Sequence, residues 1–126
     1  MKKLLLFACS CLCLWSASAQ IMEDFNDGDW SNGVSWIASS TDWAIENGTL
    51  RSVNATDQAD FQCYLPSSRV KNTQWMLWLN LKFNTSSANY SDLFLAADTA
   101  PAQARNGYYV RIGNTKDEVS LYRLQN

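Results

Sequence analysis

The sequence predicts an all-β protein, an antiparallel jelly-roll-like sandwich of roughly eight strands. Three observations predict it. Between Trp75 and Phe83 the side chains alternate strictly. Trp75, Leu77, Leu79, Leu81 and Phe83 fall on one face, and Met76, Trp78, Asn80 and Lys82 on the other. That period of two excludes an amphipathic helix, whose apolar spacing is three and four. Asn47-Gly48 separates two short alternating runs, and both residue types tolerate the positive φ of a type I′ hairpin turn. Finally, Asn106-Gly107-Tyr108-Tyr109-Val110-Arg111-Ile112-Gly113, then Asn114-Thr115-Lys116, then Asp117-Glu118-Val119-Ser120-Leu121-Tyr122-Arg123 read as two strands joined by a polar turn.

The first nineteen residues stand outside that fold. Lys2 and Lys3 form a positive start, Leu4 to Trp15 is an apolar core, and Ala17-Ser18-Ala19 is a small-residue cleavage pattern. The chain is therefore expected to be secreted or displayed at the cell surface, with Gln20 as its mature start. The apolar run is shorter than the roughly 20 residues a spanning helix needs, so no membrane span is expected. Leu6-Phe7-Ala8-Cys9 also resembles a lipobox, but the apolar run before Cys9 is only Leu4 to Ala8. Residues 20–126 are read as one β-sandwich domain.

Its elements follow in order. Ile21 to Phe25 reads as a first strand and Asn26-Asp27-Gly28-Asp29 as a turn. Trp43 to Glu46 and Thr49 to Val53 flank the Asn47-Gly48 turn. Phe61 to Leu65 is a strand ended by Pro66, and Trp75 to Phe83 is the longest strand. Tyr90 to Ala97 comes next, with Leu93, Leu95 and Ala97 alternating against Asp92, Phe94 and Ala96. The loop from Asp98 to Arg105 has room for a helical turn. Tyr108, Val110 and Ile112, then Val119 and Leu121, point inward in the final pair. Phe25, Ile45, Leu50, Leu77, Leu79, Leu81, Leu93, Leu95, Val110, Ile112, Val119 and Leu121 are the expected core. Because the chain stops at Asn126, directly after a strand, the domain is expected to lack its last strands.

Composition narrows the chemistry. There is no histidine, which excludes Ser-His-Asp and Cys-His nucleophiles and histidine-bearing zinc sites. Three of four cysteines lie in the leader, so Cys63 has no partner for an internal disulfide. It reads as a small buried hydrophobe. Without Lys2 and Lys3 the balance is 8 basic against 12 acidic residues, or −4, which argues against nucleic acid as a partner. A glycosidase needs two carboxylates facing across a cleft. Glu23, Glu46 and Glu118 show no such spacing, and no catalytic residue is expected here. Asp24, Asp27 and Asp29 around Gly28 offer crowded oxygens for Ca²⁺, or else an Asp/Asn/Gly turn bonding its own backbone. No other cofactor is expected.

The aromatic residues are more suggestive. By strand parity, Trp78, Phe94, Tyr109, Arg111 and Tyr122 share a second sheet face with Asn80, Asp92 and Ser120. Two readings of that face are open. Aromatic rings beside Asn, Asp and Arg suit the apolar faces and hydroxyl rims of sugars. The same residues also suit cross-strand pairs under a loop or a neighbouring domain.

Asp24-Phe25-Asn26-Asp27-Gly28-Asp29-Trp30, Asn89-Tyr90-Ser91-Asp92-Leu93-Phe94-Leu95-Ala96-Ala97-Asp98 and the final hairpin resemble the concanavalin A-like and laminin G-like jelly-roll superfamily. More narrowly, they are similar to N-terminal sandwich modules of large secreted bacterial proteins that carry lamin-tail-like domains. The resemblance implies a jelly roll and no catalytic residues. Three functions are carried forward: a non-catalytic extracellular module binding polysaccharide; a structural spacer against neighbouring domains; and part of a glycoside-acting enzyme whose catalytic residues lie beyond residue 126.

Overall fold

A computed structural model describes residues 21–56 and 60–126. The expected leader and its cleavage pattern lie outside the described residues. The fold is all-β and antiparallel. Seven strands occur among the described residues: β1 (Ile37–Ala38), β2 (Trp43–Ile45), β3 (Leu50–Ser52), β4 (Cys63–Tyr64), β5 (Tyr90–Ala97), β6 (Gly107–Gly113) and β7 (Glu118–Leu124). They form three sheets, β1–β4, β2–β3 and β5–β6–β7. One 3-10 turn, Pro101–Gln103, fills the loop where a helical turn was expected. No helix among the described residues is long and apolar enough to cross a membrane.

The Asn47-Gly48 hairpin forms as its sequence dictates. Both residues have positive φ, 53° and 67°, the pair that defines a type I′ turn. Glu46 and Thr49 exchange backbone hydrogen bonds of 3.0 and 3.1 Å across it. Trp43, Ala44 and Ile45 then face Ser52, Arg51 and Leu50. Arg51 also pairs with Glu46 across the turn.

The largest sheet is the meander β5–β6–β7. β6 and β7 are joined by Asn114–Asp117, where Asn114 and Asp117 take positive φ and the Asp117 N–H donates to the Asn114 carbonyl at 3.3 Å. Gly113, with φ 105°, ends β6. A Cβ there would lie 2.7 Å from Thr85 Cγ2, and Thr85 is anchored over it by a 2.9 Å hydrogen bond to Asp117. Gly113 is accordingly the one fully buried residue among those described.

The sequence reading needs four corrections. Ile21 to Phe25 is not a strand. Side chains capture the backbone there: the Phe25 N–H donates to Glu23 and the Asn26 N–H to Asp24, and Phe25 itself has a φ of 54°. Such local bonds compete directly with a sheet ladder. Phe61 to Leu65 shortens to the two residues of β4, paired with β1. Trp75 to Phe83 pairs with no strand among the described residues, because alternation specifies two faces but not a partner. A bulge between Phe94 and Ala96 sets Ala96 opposite Tyr108, which moves it to the Leu93 face and ends the simple alternation of β5.

The expected core is also not enclosed. No described hydrophobic residue is fully buried. Phe25, Ile45, Leu50, Leu81, Leu93, Leu95, Val110 and Ile112 are half-buried. Leu77, Leu79, Val119 and Leu121 are exposed, Val119 at 72% and Leu121 at 68%. Among the described residues β7 pairs on one edge only, and residues 75–83 and β5 line an open cleft.

The type I′ geometry yields a test. Gly48→Ala forces a side chain into the left-handed region, and its Cβ would meet Asn26 Oδ1 at 2.5 Å. Chemical denaturation is expected to show a loss of about 1–2 kcal/mol. Unchanged stability would mean that this turn is not type I′.

Candidate functional site

The site is the face of β5–β6–β7 opposite Leu93, Val110 and Leu121. Its rows are set by backbone register. Phe94, Tyr109 and Tyr122 stand opposite one another, as do Asp92, Arg111 and Ser120, and Tyr90, Gly113 and Glu118. Residues directly opposite in an antiparallel pair project to the same face. Four of the five residues selected from the sequence are therefore brought together: Phe94, Tyr109, Arg111 and Tyr122.

The rings form a ladder across the three strands. Phe94 and Tyr109 are stacked with centroids 5.0 Å apart and planes at 23°. Tyr109 and Tyr122 are 5.2 Å apart and nearly parallel, at 9°. Tyr109 thus has a ring on each side. All three are half-buried. Each pair contributes on the order of 1 kcal/mol beyond simple burial.

Arg111 occupies the next row. Its Nε and Nη2 donate to Asp92 Oδ1 and Oδ2 at 2.7 and 2.8 Å. This two-pronged geometry suits a planar guanidinium. The guanidinium carbon lies 3.6 Å from the centroid of the Tyr90 ring, and 5.7 and 5.5 Å from those of Tyr109 and Tyr122. The hydrogen bonds to Asp92 hold the guanidinium above its ordinary pKa. The charge is therefore neutralised by its own neighbour and wrapped in aromatic rings.

Trp78 does not join this cluster. It lies on the unpaired segment and is 76% exposed. Asn80 is exposed beside it. Tyr90, by contrast, belongs to the site and was missed. It has the same strand parity as Asp92 and Phe94, so that parity contained the signal.

The remaining candidates are separate. Asp24 accepts from the backbone and side chain of Asn26, Asp27 from the Asp29 N–H and Asn32, and Asp29 from the N–H and hydroxyl of Ser31. These are local side-chain turns. The bonds from Asn26 hold Asp24 below its ordinary pKa, and those from Ser31 do the same for Asp29. No group of three or more His, Cys, Asp or Glu side chains placed to hold a metal occurs among the described residues. Asp92 and Glu118 stand in different rows on opposite outer strands, with Asp92 engaged by Arg111. Cys63 lies half-buried on β4, and burial raises its thiol pKa from 9.0 to about 11.

No family model matches the chain, and neither a curated protein nor a solved structure matches it. The concanavalin A-like resemblance accordingly rests on the sequence motifs alone.

Two outcomes follow from these contacts. Tyr109→Ala removes both stacks and Tyr122→Ala one. Denaturation should therefore show roughly twice the loss for Tyr109→Ala, with each stack contributing on the order of 1 kcal/mol; equal losses would show that the rings do not act as a ladder. For Cys63, alkylation of the folded chain should be slow at neutral pH and accelerate as pH rises toward about 11. The raised thiol pKa has a matching effect on stability, which is intact below pH 9.0 and lost as pH rises through about 11. Rapid labelling of the folded chain at pH 7 would contradict the burial of this thiol.

Proposed function

We propose that this chain is a non-catalytic module acting outside the cell, and that it binds a glycan on the Phe94–Tyr109–Tyr122 face. The observation that carries this reading is the juxtaposition of an aromatic ladder with a neutralised Arg111–Asp92 pair. Sugars present apolar ring faces edged by hydroxyls. Aromatic rings supply the first contact, and the free guanidinium hydrogens, Ser120 and the tyrosine hydroxyls supply the second. Tyr122, on an outer strand, is the ring best placed to receive a sugar, because Tyr109 already has neighbours on both sides. A jelly-roll-like sandwich, secretion through the leader, and a place beside other domains belong to the same proposal, supported by the sequence pattern. The turn carrying Asp24, Asp27 and Asp29 makes Ca²⁺ a variable of the test.

A specific observation favours a second reading. The opposite face exposes Val119, Leu121 and Tyr108, and an exposed apolar sheet face suits a spacer packed against another domain.

Retention on a polysaccharide array separates the two. Wild-type protein should be retained by at least one neutral polysaccharide. Tyr122→Ala should abolish retention while keeping the far-UV spectrum. Failure of the wild type to bind any polysaccharide, with and without calcium, would leave the spacer reading in place of the glycan reading.

A further inference from the structure

Residues 73–82 run with no turn, bend or helix. No backbone hydrogen bond joins residues 74–83 to any other described residue. The segment is nevertheless rich in large side chains left in water: Trp75 is 43% exposed, Met76 90%, Leu77 55%, Trp78 76%, Leu79 41% and Phe83 47%. A straight run with free backbone donors and acceptors, and with one apolar face, is a template for another strand. The backbone thus specifies the kind of occupant, and the side chains specify which one.

We propose that this segment pairs antiparallel with the same segment of a second copy of the chain, about a two-fold axis through Leu79. The sequence is self-complementary about that residue. Trp75 then opposes Phe83, Leu77 opposes Leu81, and Leu79 opposes its own counterpart. On the other face Met76 opposes Lys82 and Trp78 opposes Asn80, so no like charges meet. A shift of one residue turns the apolar set to the wrong face. A shift of two sets Phe83 opposite Thr73, or Trp75 opposite Thr85. Pairing about Leu79 is the register in which all five apolar residues of the odd face pair among themselves. Such a contact uses the same patch on both subunits and closes on itself. It adds a strand by backbone hydrogen bonding, with side-chain register supplying selectivity. It involves no residue of the Phe94–Tyr109–Tyr122 face and does not depend on glycan binding.

Sedimentation equilibrium of the purified chain should give twice the chain mass at micromolar concentration, and Leu79→Asp should give a monomer with an unchanged far-UV spectrum. Cross-linking then tests the register, with all other cysteines replaced by serine. Leu79→Cys should oxidise to a covalent dimer, since opposed residues fall within disulfide reach. Leu77→Cys should not, because the two copies of residue 77 lie about 13 Å apart in this register. A mixture of Leu77→Cys and Leu81→Cys chains should again cross-link. A monomer at every concentration, an open-ended polymer, or equal cross-linking of Leu77→Cys and Leu79→Cys would each overturn the proposal.

Discussion

β6 is the constraint on which the rest of the described structure depends. It is the one strand paired along both edges, with β5 on one side and β7 on the other. Its register alone decides which side chains meet. Phe94 and Tyr122 never touch the same neighbour in sequence, yet both stack on Tyr109 because Tyr109 stands opposite each of them. Asp92 reaches Arg111 for the same reason. A slip of one residue on either side of β6 would exchange the two faces of that strand and dismantle both the ladder and the ion pair.

The two faces of this sheet solve different problems. One face carries polar and aromatic groups that satisfy each other. Arg111 gives two donors to Asp92 and lies over Tyr90, so charge and ring are matched within the sheet. The other face carries Val110 and Ile112 half-buried, with Val119 and Leu121 exposed. Apolar area left in water forgoes about 25 cal/mol per Å². On the first face the charge of Arg111 is already met within the sheet, whereas the apolar face gains with every contact it acquires.

Local chemistry was legible in the sequence wherever the determinant was itself local. Asn47-Gly48 encodes its own turn. Tyr90 to Ala97 and the final hairpin carry alternation, bracketing glycines and a polar turn that all agree, and they form nearly as read. The second face followed from parity for Phe94, Tyr109, Arg111 and Tyr122. What was not legible depends on partners. Trp75 to Phe83 has the strongest alternation in the chain, yet alternation records only that a strand has two faces. Trp78 was placed with the ladder because its parity fitted, and parity says nothing about which sheet a strand joins. At Ile21 to Phe25, the acidic side chains of Glu23 and Asp24 claim the backbone for themselves.

The connectivity of the sheets also distinguishes them by loop closure. β5, β6 and β7 follow one another directly, and the β6–β7 connection is a short turn closed by its own backbone hydrogen bond. Little chain entropy is lost in bringing such neighbours together, whereas the cost grows with the length of the loop to be closed. The pairing of β1 with β4 joins Ala38 to Cys63 through two ladder positions only. Loop closure therefore weighs less on the meander than on the β1–β4 pair. The β1–β4 pair closes the longest loop of the three sheets on the fewest ladder positions, and the Cys63 thiol sits within it.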